Sequence, residues 1–178
     1  VGSLRVVRRM LRVAGMGESA VDEKIAPVYT QYDNPATTIL FNQSEIEIHL
    51  TARGRTEKDA VELLDRLSGQ IEERLGNAVF SFAGETMEEV VGLKLTLGGY
   101  TLSVAESCTG GLLAQRLTEV PGSSKYFLEG VVAYANEAKT RTLGVEPMLL
   151  LEHGAVSGPV AEAMAEGVRK RAGTDFGL

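Results

Sequence analysis

Three turns in the second half of the sequence carry the side chains that can do chemistry. The first is Ala105-Glu106-Ser107-Cys108-Thr109-Gly110-Gly111, set between the apolar run Leu102 to Ala105 and a helical stripe through Leu112, Leu113 and Leu117. A turn at the carboxyl end of a strand lies where open α/β sheets place ligands. Its helix N–H groups and positive dipole end face the loop. Such a turn can form an anion pocket, an oxyanion hole or a seat for a nucleophile; it can equally be an ordinary capped strand–helix connection. The second turn, Pro121-Gly122-Ser123-Ser124, offers two more hydroxyls. The third, Tyr134-Ala135-Asn136-Glu137-Ala138-Lys139, offers a phenol and an amine. In one continuous helix a spacing of five would put Tyr134 and Lys139 on different faces, so they converge only if the chain bends between them. A serine activated by a neutral lysine hydrolyses amides without histidine. Such a mechanism needs these turns to meet at one sheet edge.

The elements that would position them follow from periodicity. Leu102 to Ala105 and Val131 to Ala133 are expected strands. Helices are expected from Gly110 or Gly111 through Leu117, over Glu137 to Leu143 (closed by Gly144), over Pro147 to Leu151 and over Val160 to Arg171. Upstream, Thr86 and Glu89 form a capping pattern for a helix that stops at Gly98-Gly99. Alternating strands and helices predict a parallel α/β sheet. Before Gly84 the order is β, α, β, β, α, β, a small α+β layer. Ser19 is expected to cap its first helix, running to Ile25 or Val28, and Thr56 its second, with the stripe Ala60, Leu64, Leu67, Ile71 and Leu75. In Glu45 to Ala52, Ile46, Ile48 and Leu50 alternate with polar residues, which predicts one buried and one wet face, with His49 in solvent. The division falls at Gly84, giving domains 1–84 and 85–178.

Composition removes several classes of function. The chain has 178 residues, 44% of them hydrophobic and 24% charged, with a net charge of −6. Neither half is basic: residues 1–84 hold 10 basic and 12 acidic side chains, and residues 85–178 hold 8 and 12. Nucleic acid is therefore an unlikely partner, despite Arg5, Arg8, Arg9 and Arg12 near the start. A single cysteine, Cys108, rules out an internal disulfide and a thiolate zinc cage; it is expected to be a small buried hydrophobe. The two histidines, His49 and His153, lie about 100 residues apart and suggest no metal site, and His153 is assigned to structure. No apolar run approaches the roughly 20 residues of a membrane span. No secretory leader is visible, so a cytoplasmic location is expected.

The motifs also carry a family resemblance. Ala105-Glu-Ser-Cys-Thr-Gly-Gly111, Val120-Pro-Gly-Ser-Ser124, Gly130-Val-Val-Ala-Tyr134, Asn136-Glu-Ala-Lys139 and His153-Gly-Ala-Val-Ser157 occur in order. From about Glu85 onward they resemble the C-terminal nicotinamide mononucleotide (NMN) deamidase domain of the CinA family, the competence/damage-inducible proteins. Residues 1–84, with Gly15-Met-Gly-Glu-Ser19, are similar to the KH-like middle region of that family. The resemblance implies a KH-like α+β module followed by a three-layer α/β/α domain with a mostly parallel sheet. It also implies hydrolysis of NMN to nicotinate mononucleotide and ammonia, with no cofactor and no metal, in a homo-oligomer. By position it implies Ser107, Ser124, Tyr134 and Lys139 as catalytic residues. Because its turn precedes a helix N-terminus, Ser107 is expected as nucleophile, with Lys139 as base, Tyr134 as proton relay and Ser124 as the rival nucleophile. Glu106, Thr109, Gly110, Gly111, Ser123 and Asn136 are implied as substrate-binding. Relatives continue beyond the position of Leu178 with a glycine-rich loop and further strands, so the resemblance implies an incomplete sheet here and weak or no activity for these residues alone. The alternative is a KH-like module that binds RNA or joins subunits, with the α/β part as scaffold. Thr51-Ala-Arg-Gly-Arg-Thr56 lacks the Gly-x-x-Gly spacing that RNA binding by a KH domain needs.

Overall fold

A computed structural model describes residues 4–42 and 45–178. The chain divides into two units, Val1–Val90 and Val91–Leu178.

The first unit contains β1 (Arg5–Val13), α1 (Glu18–Tyr29), β2 (Ala36–Asn42), β3 (Glu45–Gly54), α2 (Glu57–Leu75) and β4 (Val79–Ser81). Its antiparallel sheet has the order β2-β3-β1-β4. α2 forms where the apolar spacing predicts it. Thr56 and Asp59 close a reciprocal capping box, and Ala60, Leu64, Leu67, Ile71 and Leu75 are buried against the sheet. α1 starts earlier than expected: Gly17, not Ser19, is the cap, and Ser19 lies inside the first turn without capping. The Gly17 carbonyl already accepts from the Ala20 and Val21 amides, which fixes the start one residue before Ser19 can act.

The polar face of β3 departs from the alternating pattern. Glu45 and Glu47 are each only 8% exposed. The register puts Arg12 opposite Glu47, and its guanidinium reaches Glu45 at 3.1 Å and Glu47 at 3.2 Å. His49 Nε2 meets Glu47 Oε2 at 2.9 Å, so the half-exposed imidazole at the sheet surface has a hydrogen-bond partner there. Hydrogen bonds from Asn42 and His49 hold the Glu47 carboxyl below its ordinary range, against burial and with help from Arg12. A cross-strand cation thus does what water would have done on a wet face.

The second unit holds α3 (Met87–Gly98) from Val91 onward, then β5 (Leu102–Glu106), α4 (Leu112–Thr118), β6 (Phe127–Val132), α5 (Asn136–Leu143), α6 (Pro147–His153), α7 (Gly158–Ala172) and β7 (Phe176–Gly177). The strands are parallel in the order β6-β5-β7. Successive β5 side chains point to opposite faces, and both faces are covered, as parallel sheets require. Leu102 and Val104 pack with Val91, Leu95, Leu113 and Leu117 from α3 and α4. Ala105 packs on the other face with Leu143, Val160, Met164 and Val168 from α5 and α7. The result is three layers. β6 begins at Phe127, four residues before the expected strand, and α7 begins at Gly158 because Ser157 caps it through the Val160 amide. β7 is an edge strand, so Phe176 stays 47% exposed, its ring edge-on to Tyr100. Among the described residues no helix is long and apolar enough to cross a membrane.

Candidate active site

β5 ends at Glu106, and the chain turns through residues 107–111 into α4. The Gly110 amide donates to the Ser107 carbonyl at 3.1 Å, closing the bend. Gly110 and Gly111 have φ of +64° and +105°, a region that side chains rarely adopt, which explains both glycines without invoking a ligand. The next strand, β6, ends at Val132 alongside Glu106. The chain then bends through Ala133, Tyr134 and Ala135 before α5 begins at Asn136. Two of the three turns therefore lie at the carboxyl edge of neighbouring parallel strands.

Lys139 joins them. It sits on the first turn of α5, is only 1% exposed, and its Nζ lies 2.9 Å from Ser107 Oγ, 2.8 Å from the Ala133 carbonyl and 3.0 Å from the Tyr134 carbonyl. The two carbonyls can only accept, so in either protonation state they fix two N–H groups. The remaining tetrahedral position of the nitrogen faces Ser107. As an ammonium it donates to the hydroxyl oxygen; as a free amine it presents a lone pair to the hydroxyl proton. Change of protonation at this lysine is thus directed at one atom, Ser107 Oγ.

Glu106 is only 3% exposed, and its carboxylate is turned onto the start of α4. Its Oε2 accepts from the amides of Gly111 (3.1 Å) and Leu113 (3.0 Å), and its Oε1 from that of Ala114 (2.8 Å). Burial pushes this carboxyl up, but hydrogen bonds from the Ala114 amide, the Thr109 hydroxyl and the Leu113 and Gly111 amides hold it below the ordinary range. The sequence points to the α4 N-terminus as a pocket for phosphate or oxyanion. In the structure the chain's own carboxylate fills that position, so Glu106, Gly110 and Gly111 build the turn, and the Thr109 hydroxyl supports Glu106.

The other expected residues lie elsewhere. Ser123 and Ser124 form a 3-10 turn before β6, at the amino end of the sheet, where the Tyr126 carbonyl accepts from the Leu102 amide. At about 3.3 Å per residue, the length of β5 separates them from Ser107 by more than roughly 13 Å. Within this chain both serines therefore stand apart from the Ser107–Lys139 contact. The Tyr134 side chain is 76% exposed, and among the described residues its hydroxyl has no hydrogen bond to Ser107 or Lys139; its backbone carbonyl makes the contact instead. Asn136 is exposed at the start of α5 and lines a groove with Thr140, Arg141, Pro147 and Leu151, away from the Ser107–Lys139 contact. Cys108 is exposed rather than buried, since the turn lifts it off the sheet. The carbonyls of Ala133 and Tyr134 carry no side-chain signal, so only the strand–bend–helix placement could have revealed them.

Residues 84–178 match the CinA C-terminal domain family, and residues 8–81 match the damage-inducible protein CinA KH domain. A CinA-like protein from Solibacter usitatus is 51% identical over 98% of this chain and 42% of its own length. A CinA-like protein from Koribacter versatilis is 47% identical over 97% of this chain and again 42% of its own length. The chain thus spans about two fifths of the length of these curated relatives. Among solved structures, the competence/damage inducible protein CihA from Agrobacterium tumefaciens aligns with a TM-score of 0.48 and 42% identity, covering 49% of this chain and 53% of that one.

Proposed function

This chain belongs to the CinA family, and from that membership and the serine–lysine contact at its sheet edge we propose that it carries an amide-hydrolysing site acting on NMN. The carrying observation is the 2.9 Å separation of Lys139 Nζ from Ser107 Oγ. With the amine neutral, Lys139 takes the Ser107 proton while Oγ attacks the carboxamide carbon. Collapse of the tetrahedral adduct breaks the C–N bond, and Lys139 returns the proton to the departing nitrogen, which leaves as ammonia. The ester on Ser107 is then attacked by water. Lys139 accepts the water proton and delivers it to Oγ, releasing nicotinate mononucleotide and restoring the pair.

The developing oxyanion needs donors outside the α4 amides held by Glu106. The amides of Cys108 and Thr109, which have no hydrogen bond among the described residues, are available for it. In this reading the exposed Tyr134 ring covers the pyridine ring.

The test is ammonia release from NMN at high protein concentration, with Ser107→Ala and Lys139→Met beside the wild type. Both variants should lose release about 10³-fold or more while retaining the far-UV circular dichroism spectrum. Undiminished release from either would refute the assignment.

A further inference from the structure

Glu106 touches both halves of the serine–lysine pair without contacting either reactive atom. Through its main chain, the Glu106 carbonyl accepts from the Ala133 amide at 2.8 Å, and the Ala133 carbonyl in turn accepts from Lys139 Nζ at 2.8 Å. Through its side chain, the carboxylate grips Gly111, Leu113 and Ala114 and so anchors the far end of the turn that begins at Ser107. Ser107 is covalently next to Glu106, and the Gly110 amide donates to the Ser107 carbonyl. The segment from β5 to the first turn of α4 is therefore a closed loop, pinned at both ends by one buried residue.

We propose that Glu106 is a positioning residue that sets the Ser107–Lys139 distance, and that its ionised carboxylate, not merely its size, is required. The reason is the count of donors. Two amides aim at Oε2 and one at Oε1, so both oxygens must accept. Glutamine has the same shape, but one terminal atom becomes an NH2 that donates, and it would face at least one amide N–H. The turn must then shift to relieve that contact, and Ser107 shifts with it. Aspartate keeps two accepting oxygens at the cost of one methylene of reach. A displacement near 1 Å at a reacting pair is worth on the order of 100-fold in rate.

This inference rests on the proposed serine–lysine chemistry, and its test separates the two. The full 178-residue chain is treated with a fluorophosphonate, which reports serine nucleophilicity without any amide substrate, and adducts are located by peptide mass spectrometry. The wild type should be modified at Ser107. Glu106→Gln should react about 10-fold more slowly or worse, and Glu106→Asp should recover most of that loss. Thr109→Val, which removes one donor to the carboxylate and leaves the main chain alone, should slow labelling a few-fold and covers the case in which both Glu106 variants fail to fold. With NMN as substrate, Glu106→Gln should lower kcat and leave KM within about 3-fold, whereas a substrate-binding glutamate would raise KM. Wild-type labelling rates in folded Glu106→Gln, or in Thr109→Val, would overturn the positioning role. Labelling of Ser107 in the wild type without ammonia release from NMN would instead defeat the amide-hydrolase assignment and leave the positioning role standing.

Discussion

Gly167→Ala is expected to disturb the active site through the helix that carries Lys139. Gly167 lies on α7 where it crosses the end of α5. A Cβ at this position would overlap the Leu143 carbonyl oxygen and lie 2.9 Å from the Leu143 carbonyl carbon and 3.0 Å from its Cβ. The overlap with the carbonyl oxygen is the tightest of these contacts, so the two helices must part by about 1 Å or slightly more. Overpacking of this kind costs about 1–3 kcal/mol, offset by about 1 kcal/mol from the better helix propensity of alanine. The net expectation is a loss of up to about 2 kcal/mol in a urea titration followed by circular dichroism. Lys139 is one helical turn from Leu143 on the same short helix, so moving α5 lengthens the 2.9 Å contact to Ser107. Activity per folded molecule should fall about 10- to 100-fold. Gly69→Ala is the matched control. Gly69 lies within α2 with open space where a Cβ would go, so the same chemical change should stabilise by about 0.5–1 kcal/mol and leave activity alone. A Gly167→Ala protein as stable and active as the wild type would refute the packing argument.

Thr56→Ala should cost about 1 kcal/mol in the same titration, because it removes the acceptor for the Asp59 amide and opens the capping box. Arg12→Met should cost about 2–3 kcal/mol, since it leaves Glu45 and Glu47 nearly buried without the guanidinium that joins them. Acid titration of stability should carry the mark of the same network. Glu47 releases its proton at lower pH in the folded state than in the unfolded chain, so the unfolded chain binds more protons across that window. Its stabilising contribution should be complete above the ordinary glutamate value of 4.5 and fade as pH falls through the lower folded value. A midpoint unchanged between pH 6 and about 3 would contradict this account of the network.

The sequence discloses the elements better than the contacts. α2 is legible because its apolar stripe, its Thr56–Asp59 cap and its terminal glycine all agree. The parallel unit is legible in its alternation, and the carboxyl-edge turns at Ser107 and Lys139 are legible because motif residues follow apolar runs. The wet face expected for β3 is not wet, because an arginine 35 positions earlier in the chain, brought alongside by strand pairing, covers it. Local alternation cannot see that partner. The α4 amides face inward for a similar reason: glutamate before a Gly-Gly turn reads as a pocket wall until its carboxylate is seen folded back over the helix end. The place of Ser124 is not legible because residue type and spacing do not record which end of a parallel strand a turn occupies. That is decided by strand direction, and β6 runs from Ser124 toward Lys139.

The most direct test of the serine–lysine assignment is the mass of the peptide containing Ser107 after acid quenching of a reaction with NMN. The account predicts a nicotinate mononucleotide ester on Ser107, absent in Lys139→Met, with the Ser123–Ser124 peptide unmodified. Ammonia release with an ester on Ser124, or steady turnover in Ser107→Ala, would contradict it.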